Sequence, residues 1–169
     1  KVKGLDTLGF RPGAVADHLT SNGGVLKDSP QMSALAWLEA GATGSYGTVV
    51  EPCSFPQKFP APAVAMFHYA IGTSAIEAYW KSVAWPGQGI FIGEPLAKPF
   101  APLLREISPG RFELKIFSPR TGRLRIEKSI SAAGPFKLAS QPQAIRRGVN
   151  RFHFRFNEKT DGYLKLQWN

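Results

Sequence analysis

Hydrophobic and polar positions follow different periods in the two halves of the chain. Residues 105–169 alternate between apolar and polar side chains, as Phe112, Leu114 and Ile116 show between charged neighbours. The same alternation appears in the following sets: Leu124, Ile126 and Ile130; Phe152, Phe154 and Phe156; Leu164, Leu166 and Trp168. Period-two alternation, interrupted by a turn after about 8–12 residues, is typical of a half-exposed antiparallel sheet. This half is predicted to form a small antiparallel β-sheet or sandwich domain.

Residues 1–104 instead mix helical and strand-like segments. The pair Ser29-Pro30 predicts a helix start with Ser29 as N-cap, and Gly41 predicts its end. Ser74 predicts the cap of a further helix, and short apolar runs at 47–52 and 89–96 predict buried strands. Strands separated by helices favour an α/β layer with a partial parallel sheet. We therefore expect one unit over residues 1–104 and a second over residues 105–169, with a boundary near 99–108.

The predicted parallel sheet has too few strands to be a complete layer. The chain also opens on Lys1-Val2-Lys3-Gly4, without an initiator Met. We expect a processed chain or a fragment, in which another polypeptide completes the sheet.

Charge is distributed unequally between the two halves. The chain has 21 Lys and Arg against 12 Asp and Glu, a formal net charge of +9, and residues 105–169 carry all of the excess. Such a domain attracts anionic partners, and we expect an acidic protein, an acidic polysaccharide or an anionic lipid surface. The anion-binding candidates are Arg146, Arg147, Arg151 and Arg155. Nucleic acid is not expected, because strict alternation places the aromatic rings on the face opposite the charges.

The chain has one cysteine, Cys53, at the end of the predicted strand over 47–52. A single thiol excludes an internal disulfide, and Cys53 is either a nucleophile or a small buried side chain. The spacing of His18, His68, His153 and Cys53 matches no metal-binding motif, and the glycines lack the pattern of a phosphate-binding loop. No metal and no cofactor are predicted.

Three segments resemble a known family: GAVADHLTSNGG (13–24), EAGATGSYGTVVEPC (39–53) and EAYWKSVAWPGQGIFIGEPLAKPF (77–100). Together they look like the C-terminal part of an uncharacterised bacterial family associated with exosortase. That family is distantly similar to gingipain- and caspase-like cysteine peptidases. The resemblance implies a caspase- or gingipain-like α/β layer and an extracytoplasmic or cell-envelope location.

The same resemblance implies a catalytic arrangement. It makes Cys53 the nucleophile and His18 the general base, with the backbone N–H groups of Gly23 and Gly24 holding the oxyanion. This chain departs from the peptidase pattern, since Leu19 follows His18 where those enzymes have glycine. Two functions are therefore open, and whether the protein is an enzyme is open as well. One is a peptidase-like envelope protein, including a degenerate peptidase. The other is a non-catalytic scaffold or subunit of an extracytoplasmic or membrane-associated assembly, binding an anionic partner through its basic β domain.

Overall fold

The structure is a computed structural model that describes residues 2–50 and 55–168. Backbone contacts divide the chain into two units, Lys1–Pro99 and Phe100–Asn169. The division falls at the start of the predicted boundary range, 99–108, and five residues before the predicted second unit begins. Within the described ranges, none of the helices has the length and apolar character needed to cross a membrane.

The first unit combines short helices with two strands. In chain order its helices and strands are α1 (Leu35–Glu39), β1 (Gly44–Thr48), α2 (Pro62–Ala70), α3 (Ala75–Ser82) and β2 (Gly89–Gly93). Single 3₁₀ turns lie at Leu5–Thr7, Pro56–Lys58 and Pro86–Gln88. The unit is therefore mixed α and β, as predicted, although its elements are short.

The two strands of this unit pair antiparallel. Tyr46 of β1 lies opposite Phe91 of β2, and α2 and α3 both fall between these strands in sequence. An isolated parallel bridge joins Val15 to Gly44. The predicted partial parallel sheet of a caspase-like layer is therefore wrong for the strands that the structure describes. Apolar runs separated by helices identify strands, but the direction in which they pair depends on the path of the connecting chain.

The first helix starts later than the sequence indicates. α1 begins at Leu35, and Ser29 does not cap it; the Ser29 hydroxyl instead accepts a hydrogen bond from the Gln31 N–H. The side-chain oxygen of Gln31 accepts from the Asn22 N–H at 2.8 Å, which ties this segment to a distant loop. These tertiary hydrogen bonds compete with the helix. The predicted stop is correct, because the helix ends just before Gly41, at φ 101°.

The predicted cap of α3 is confirmed. The Ser74 hydroxyl accepts from the Glu77 N–H, and the Glu77 carboxylate accepts from the Ser74 N–H at 2.9 Å. This reciprocal pair is a capping box, which satisfies two backbone donors at a helix start. Hydrogen bonding to Ser74 lowers the pKa of Glu77.

The second unit contains two antiparallel sheets. One sheet has the order β3 (Leu103–Ser108), β4 (Arg111–Ser118), β8 (Gly148–Arg155). In the other, β5 (Gly122–Ser129) pairs with β9 (Tyr163–Trp168) along one edge and with β6 (Lys137–Leu138) and β7 (Gln143–Ile145) along the opposite edge. A short helix, α4 (Glu158–Asp161), precedes β9. The antiparallel β domain is therefore as predicted.

The core of the second unit follows the predicted alternation. Its buried residues come from both sheets: Phe112, Leu114, Ile116, Leu124, Ile126, Ile145, Phe152, Phe154 and Phe156. Leu164, Leu166 and Trp168 pack against this core and are partly buried. Ile130 was expected on the same inner face but is 71% exposed, because β5 ends at Ser129. Full burial of each large apolar side chain contributes roughly 1.5–3 kcal/mol.

Candidate functional site

His18 lies in the loop between Val15 and α1, and both of its ring nitrogens are hydrogen-bonded. The Trp37 indole N–H donates to Nδ1 at 2.8 Å, and Nε2 lies 2.8 Å from the Met32 carbonyl oxygen. An indole N–H only donates and a carbonyl only accepts, so these partners select the neutral tautomer protonated at Nε2. His18 therefore links its loop to the α1 region, and neither nitrogen is free to take a proton from a thiol in this arrangement.

Cys53 lies outside the described residues. The dyad stays a prediction for that reason. The hydrogen bonds of His18 argue against its role as a base, since accepting a proton at Nδ1 requires loss of the Trp37 bond.

Gly23 and Gly24, the predicted oxyanion donors, lie against β1. The Gly24 N–H donates to the Thr48 carbonyl at 2.8 Å, and the Gly23 N–H points to the Thr20 carbonyl at 3.5 Å. A Cβ atom on Gly24 would overlap the carbonyl of Gly47, and one on Gly47 would overlap the backbone of Gly24, so Gly24 and Gly47 need glycine for close backbone contact. The geometry thus gives Gly24 a packing role, with its N–H already committed to the backbone.

Asp17 is the functional candidate that sequence reasoning missed, because its hydrogen-bond partners are far from it in sequence. Its Oδ1 accepts from the Tyr46 N–H at 2.6 Å and from the Ser45 hydroxyl at 3.1 Å, and the Tyr79 hydroxyl also donates to its carboxyl group. Asp17 keeps an exposed surface, yet protein atoms crowd it on most sides. This partial desolvation raises its pKa, while the three donors oppose the rise by stabilising the carboxylate.

A pocket of about 310 Å³ opens beside Asp17. Its walls come from the 15–19 loop, β1, α2 and α3. Three tyrosines line it, Tyr46, Tyr69 and Tyr79, and each is at most 4% exposed. Burial raises the pKa of Tyr46 to about 12 and also raises those of Tyr69 and Tyr79, so the three hydroxyls stay neutral at physiological pH. We call this cavity the Asp17 pocket.

A second candidate site is the outer face of the sheet β3–β4–β8. Alternate residues of these strands point away from the core: Arg105, Arg111, Glu113, Lys115, Arg151, His153 and Arg155. We call this set the basic face. Its one carboxylate, Glu113, lies 3.5 Å from Arg105, 3.8 Å from Arg151 and 3.5 Å from His153. Three potential cations therefore share one acidic partner.

The four predicted anion-binding arginines do not form one cluster. Arg151 and Arg155 belong to the basic face, and Arg155 lies directly opposite Arg111 in the strand register. Arg146 and Arg147 instead occupy the exposed turn before β8, where the Arg146 N–H donates to the Asn150 side chain. Since a strand rises about 3.3 Å per residue, Arg147 and Arg155 sit at opposite ends of β8.

Metal binding finds no support in the geometry of the described ranges. No group of three or more His, Cys, Asp or Glu side chains there is placed to hold an ion.

Comparison of the chain with protein-family models, with curated proteins and with solved structures gave no match. Function is therefore argued from the two sites themselves.

Proposed function

We propose that this protein is a non-catalytic binding protein whose basic face docks on an anionic lipid surface. The observation that supports this is the composition of the face. Five Arg and Lys side chains and His153 surround Glu113, the only acidic residue of the set. The face therefore has a marked excess of positive charge.

The cations of the basic face are available to a partner. The side chains of Arg105, Arg151 and His153 are 68%, 58% and 54% exposed, whereas Glu113 is 18% exposed. Exposed ion pairs contribute only about 0–1 kcal/mol, so their exchange for an external anion costs little. Arg111 and Arg155 lie directly opposite each other, and like charges in that position destabilise a sheet. An external anion between them removes this repulsion.

The shape of the face favours an extended anionic surface. Neighbouring strands lie about 4.8 Å apart, and alternate residues along one strand lie about 6.7 Å apart. The cations thus form a regular array across a sheet. Arg111 and Arg155 also line a cavity of about 690 Å³ at one end of this array. The aromatic rings of β4 and β8 at 112, 152 and 154 face the core, and Phe117 on the outer face packs against Phe100. Stacking on nucleic acid bases needs exposed ring faces, so it is not favoured here.

Two exposed aliphatic side chains favour lipid over polysaccharide. Leu103 and Val149 are 59% and 57% exposed and belong to the same outer face. Leu103 lies opposite Lys115 in the register, beside the charged array. Aliphatic side chains gain free energy at the boundary between headgroups and acyl chains, and each nearby Arg or Lys adds about 1 kcal/mol on an anionic membrane. A polysaccharide offers no comparable apolar phase.

Vesicle sedimentation tests this proposal. The protein should bind vesicles that contain phosphatidylserine, bind neutral phosphatidylcholine vesicles much less, and lose binding as salt is raised. The double variant Arg111→Gln/Arg155→Gln should bind about tenfold more weakly. Arg120→Gln/Arg123→Gln is the matched control, because it removes the same charge from exposed positions off the basic face. The control should bind within about twofold of the original protein.

Equal losses in the two double variants would contradict the role of the basic face, since only net charge would then matter. Binding to neutral vesicles at the same strength would contradict the anionic specificity. Binding to heparin but not to vesicles would identify the partner as an acidic polysaccharide, and binding to neither would leave an acidic protein as the alternative partner class.

The relation to the exosortase-associated family, the extracytoplasmic location and a second polypeptide completing the first unit stay predictions. A location at the cell envelope agrees with a lipid-binding role. The peptidase-like function depends on Cys53 and is weaker than the binding role, because the hydrogen bonds of His18 leave it no free nitrogen.

A further inference from the structure

The Asp17 pocket has the size and walls of a small-molecule site. Its volume of about 310 Å³ is at the lower end of the roughly 300–1,000 Å³ common for ligand pockets. Most of its lining is apolar, including Pro60 and Ala65, and Met66 at 48% exposure can adjust to a ligand. The pocket belongs to the first unit, so its use is independent of the basic face.

Asp17 gives this apolar pocket a charge. Among the described residues that line the cavity, it is the only Asp, Glu, Lys or Arg. The groups that contact its carboxyl, from Ser45, Tyr46 and Tyr79, are neutral donors. His18, the other titratable neighbour apart from the tyrosines, has both nitrogens engaged elsewhere. A carboxylate in such surroundings attracts a cationic donor from a ligand.

The tyrosine rings also favour a cation. Tyr46, Tyr69 and Tyr79 all line the pocket. Electron-rich aromatic faces attract an ammonium group. An anionic ligand would instead meet repulsion from Asp17. A neutral ligand would fill the apolar walls without pairing the charge.

We propose that the Asp17 pocket binds a small organic amine, with the protonated amino group paired to the Asp17 carboxylate and an apolar body against Pro60, Ala65 and Met66. Recognition requires both parts, because the carboxylate selects the charge while the walls select a short apolar body. A methyl-sized amine buries too little surface, and a long polyamine brings charges that the walls do not pair.

Three probes with a similar phenyl body test the charge requirement: phenethylamine, phenethyl alcohol and phenylacetate. Isothermal titration of the full chain at neutral pH should give binding of phenethylamine about tenfold tighter than that of phenethyl alcohol. Phenylacetate should bind most weakly. Equal affinities for the three probes, or no binding of the amine at millimolar concentration, would overturn the proposal.

Asp17→Asn tests the pairing directly. Asparagine keeps an acceptor for the Tyr46 N–H, and the variant should bind the amine about tenfold more weakly, level with the alcohol. Asp28→Asn is the matched control, because Asp28 is exposed, does not line the pocket and has a φ of 58° that asparagine tolerates. The control should bind like the original protein. Unchanged amine binding in Asp17→Asn would overturn the proposal.

Ala65→Leu separates the cavity from the charge. Ala65 lies on α2 and lines the pocket, so leucine there fills part of the cavity while leaving Asp17 in place. Binding of both phenethylamine and phenethyl alcohol should be lost. Retained binding of both would place the probes elsewhere and overturn the assignment. If Asp17→Asn fails to fold by circular dichroism, the Ala65→Leu result and the three-probe comparison still decide the proposal.

Discussion

In the second unit, two sheets bury a row of aromatic and aliphatic side chains, whereas in the first unit side-chain hydrogen bonds hold loops against a two-stranded sheet. Asp17, His18 and Thr48 each bond to groups far away in sequence. Long-range side-chain hydrogen bonds therefore act in the first unit alongside one short strand ladder and two small hydrophobic clusters.

This difference explains why the two units offer different kinds of site. A regular sheet displays alternate side chains on one flat face, which produced an array of cations. Loops positioned by specific hydrogen bonds can enclose a concave space, which produced the pocket beside Asp17. Binding residues often lie on loops held by a rigid scaffold, and Asp17 follows that pattern.

The largest effect is expected in the core of the sandwich. Ile126→Ala should lower the free energy of unfolding by about 2–5 kcal/mol, because Ile126 is 1% exposed and its truncation leaves a cavity. Ile130→Ala is the matched control, since Ile130 is 71% exposed, and it should change stability by no more than about 0.5 kcal/mol. Urea denaturation measures both. Similar losses for the two variants would contradict the observed end of β5.

An intermediate effect is expected from acid, with opposite signs in the two units. Partial burial raises the pKa of Asp17 above its ordinary 3.8, so its contribution to stability is complete below that value and is lost as pH rises through the raised pKa. A hydrogen bond from Lys128 lowers the pKa of Asp161, so its contribution is present above 3.8 and is lost as pH falls through the lowered pKa.

Urea denaturation between about pH 6 and pH 2 measures this contrast. On acidification the original protein should gain stability relative to Asp17→Asn and lose stability relative to Asp161→Asn. The same sign for both aspartates would contradict the difference in their surroundings.

The smallest effect is expected at Cys53. Iodoacetamide should label it at the rate of an ordinary thiol at about pH 6, where most of a thiol with a pKa near 8.5 is protonated. His18→Gln should leave that rate unchanged, because His18 already bonds to Trp37 and Met32. Mass spectrometry follows the labelling. Fast labelling that is abolished by His18→Gln would restore the peptidase hypothesis.

Predictability from sequence differed between the units for a physical reason. The alternation of Phe112, Leu114 and Ile116 predicted both strand and core, because each side chain's face follows from its position in the strand. In the first unit, the prediction of Ser74 as a helix cap was correct, because its partner, Glu77, is only three residues away in sequence. Ser29 failed as a cap because Gln31 bonds to the loop at 21–22, a contact that no local pattern contains.

The candidate sites show the same division. The excess of Lys and Arg after residue 104 predicted a basic domain, but the register of β3, β4 and β8 determined which cations share a face. His18 stood out in the sequence as a candidate base. Its two hydrogen bonds were not predictable, because their partners, Trp37 and Met32, are distant in the chain. No pattern in the sequence singled out Asp17, since its pocket is built partly by α2 and α3, at least 45 residues further along the chain.

Sequence alone determined the antiparallel alternation, the charge imbalance and the helix stops, because these depend on side-chain type and on contacts within a few residues. Only the tertiary structure decided the antiparallel pairing of β1 with β2, the hydrogen bonds of His18 and the position of Asp17 beside a pocket. These features depend on where distant segments meet, and many chain paths are compatible with the same local pattern.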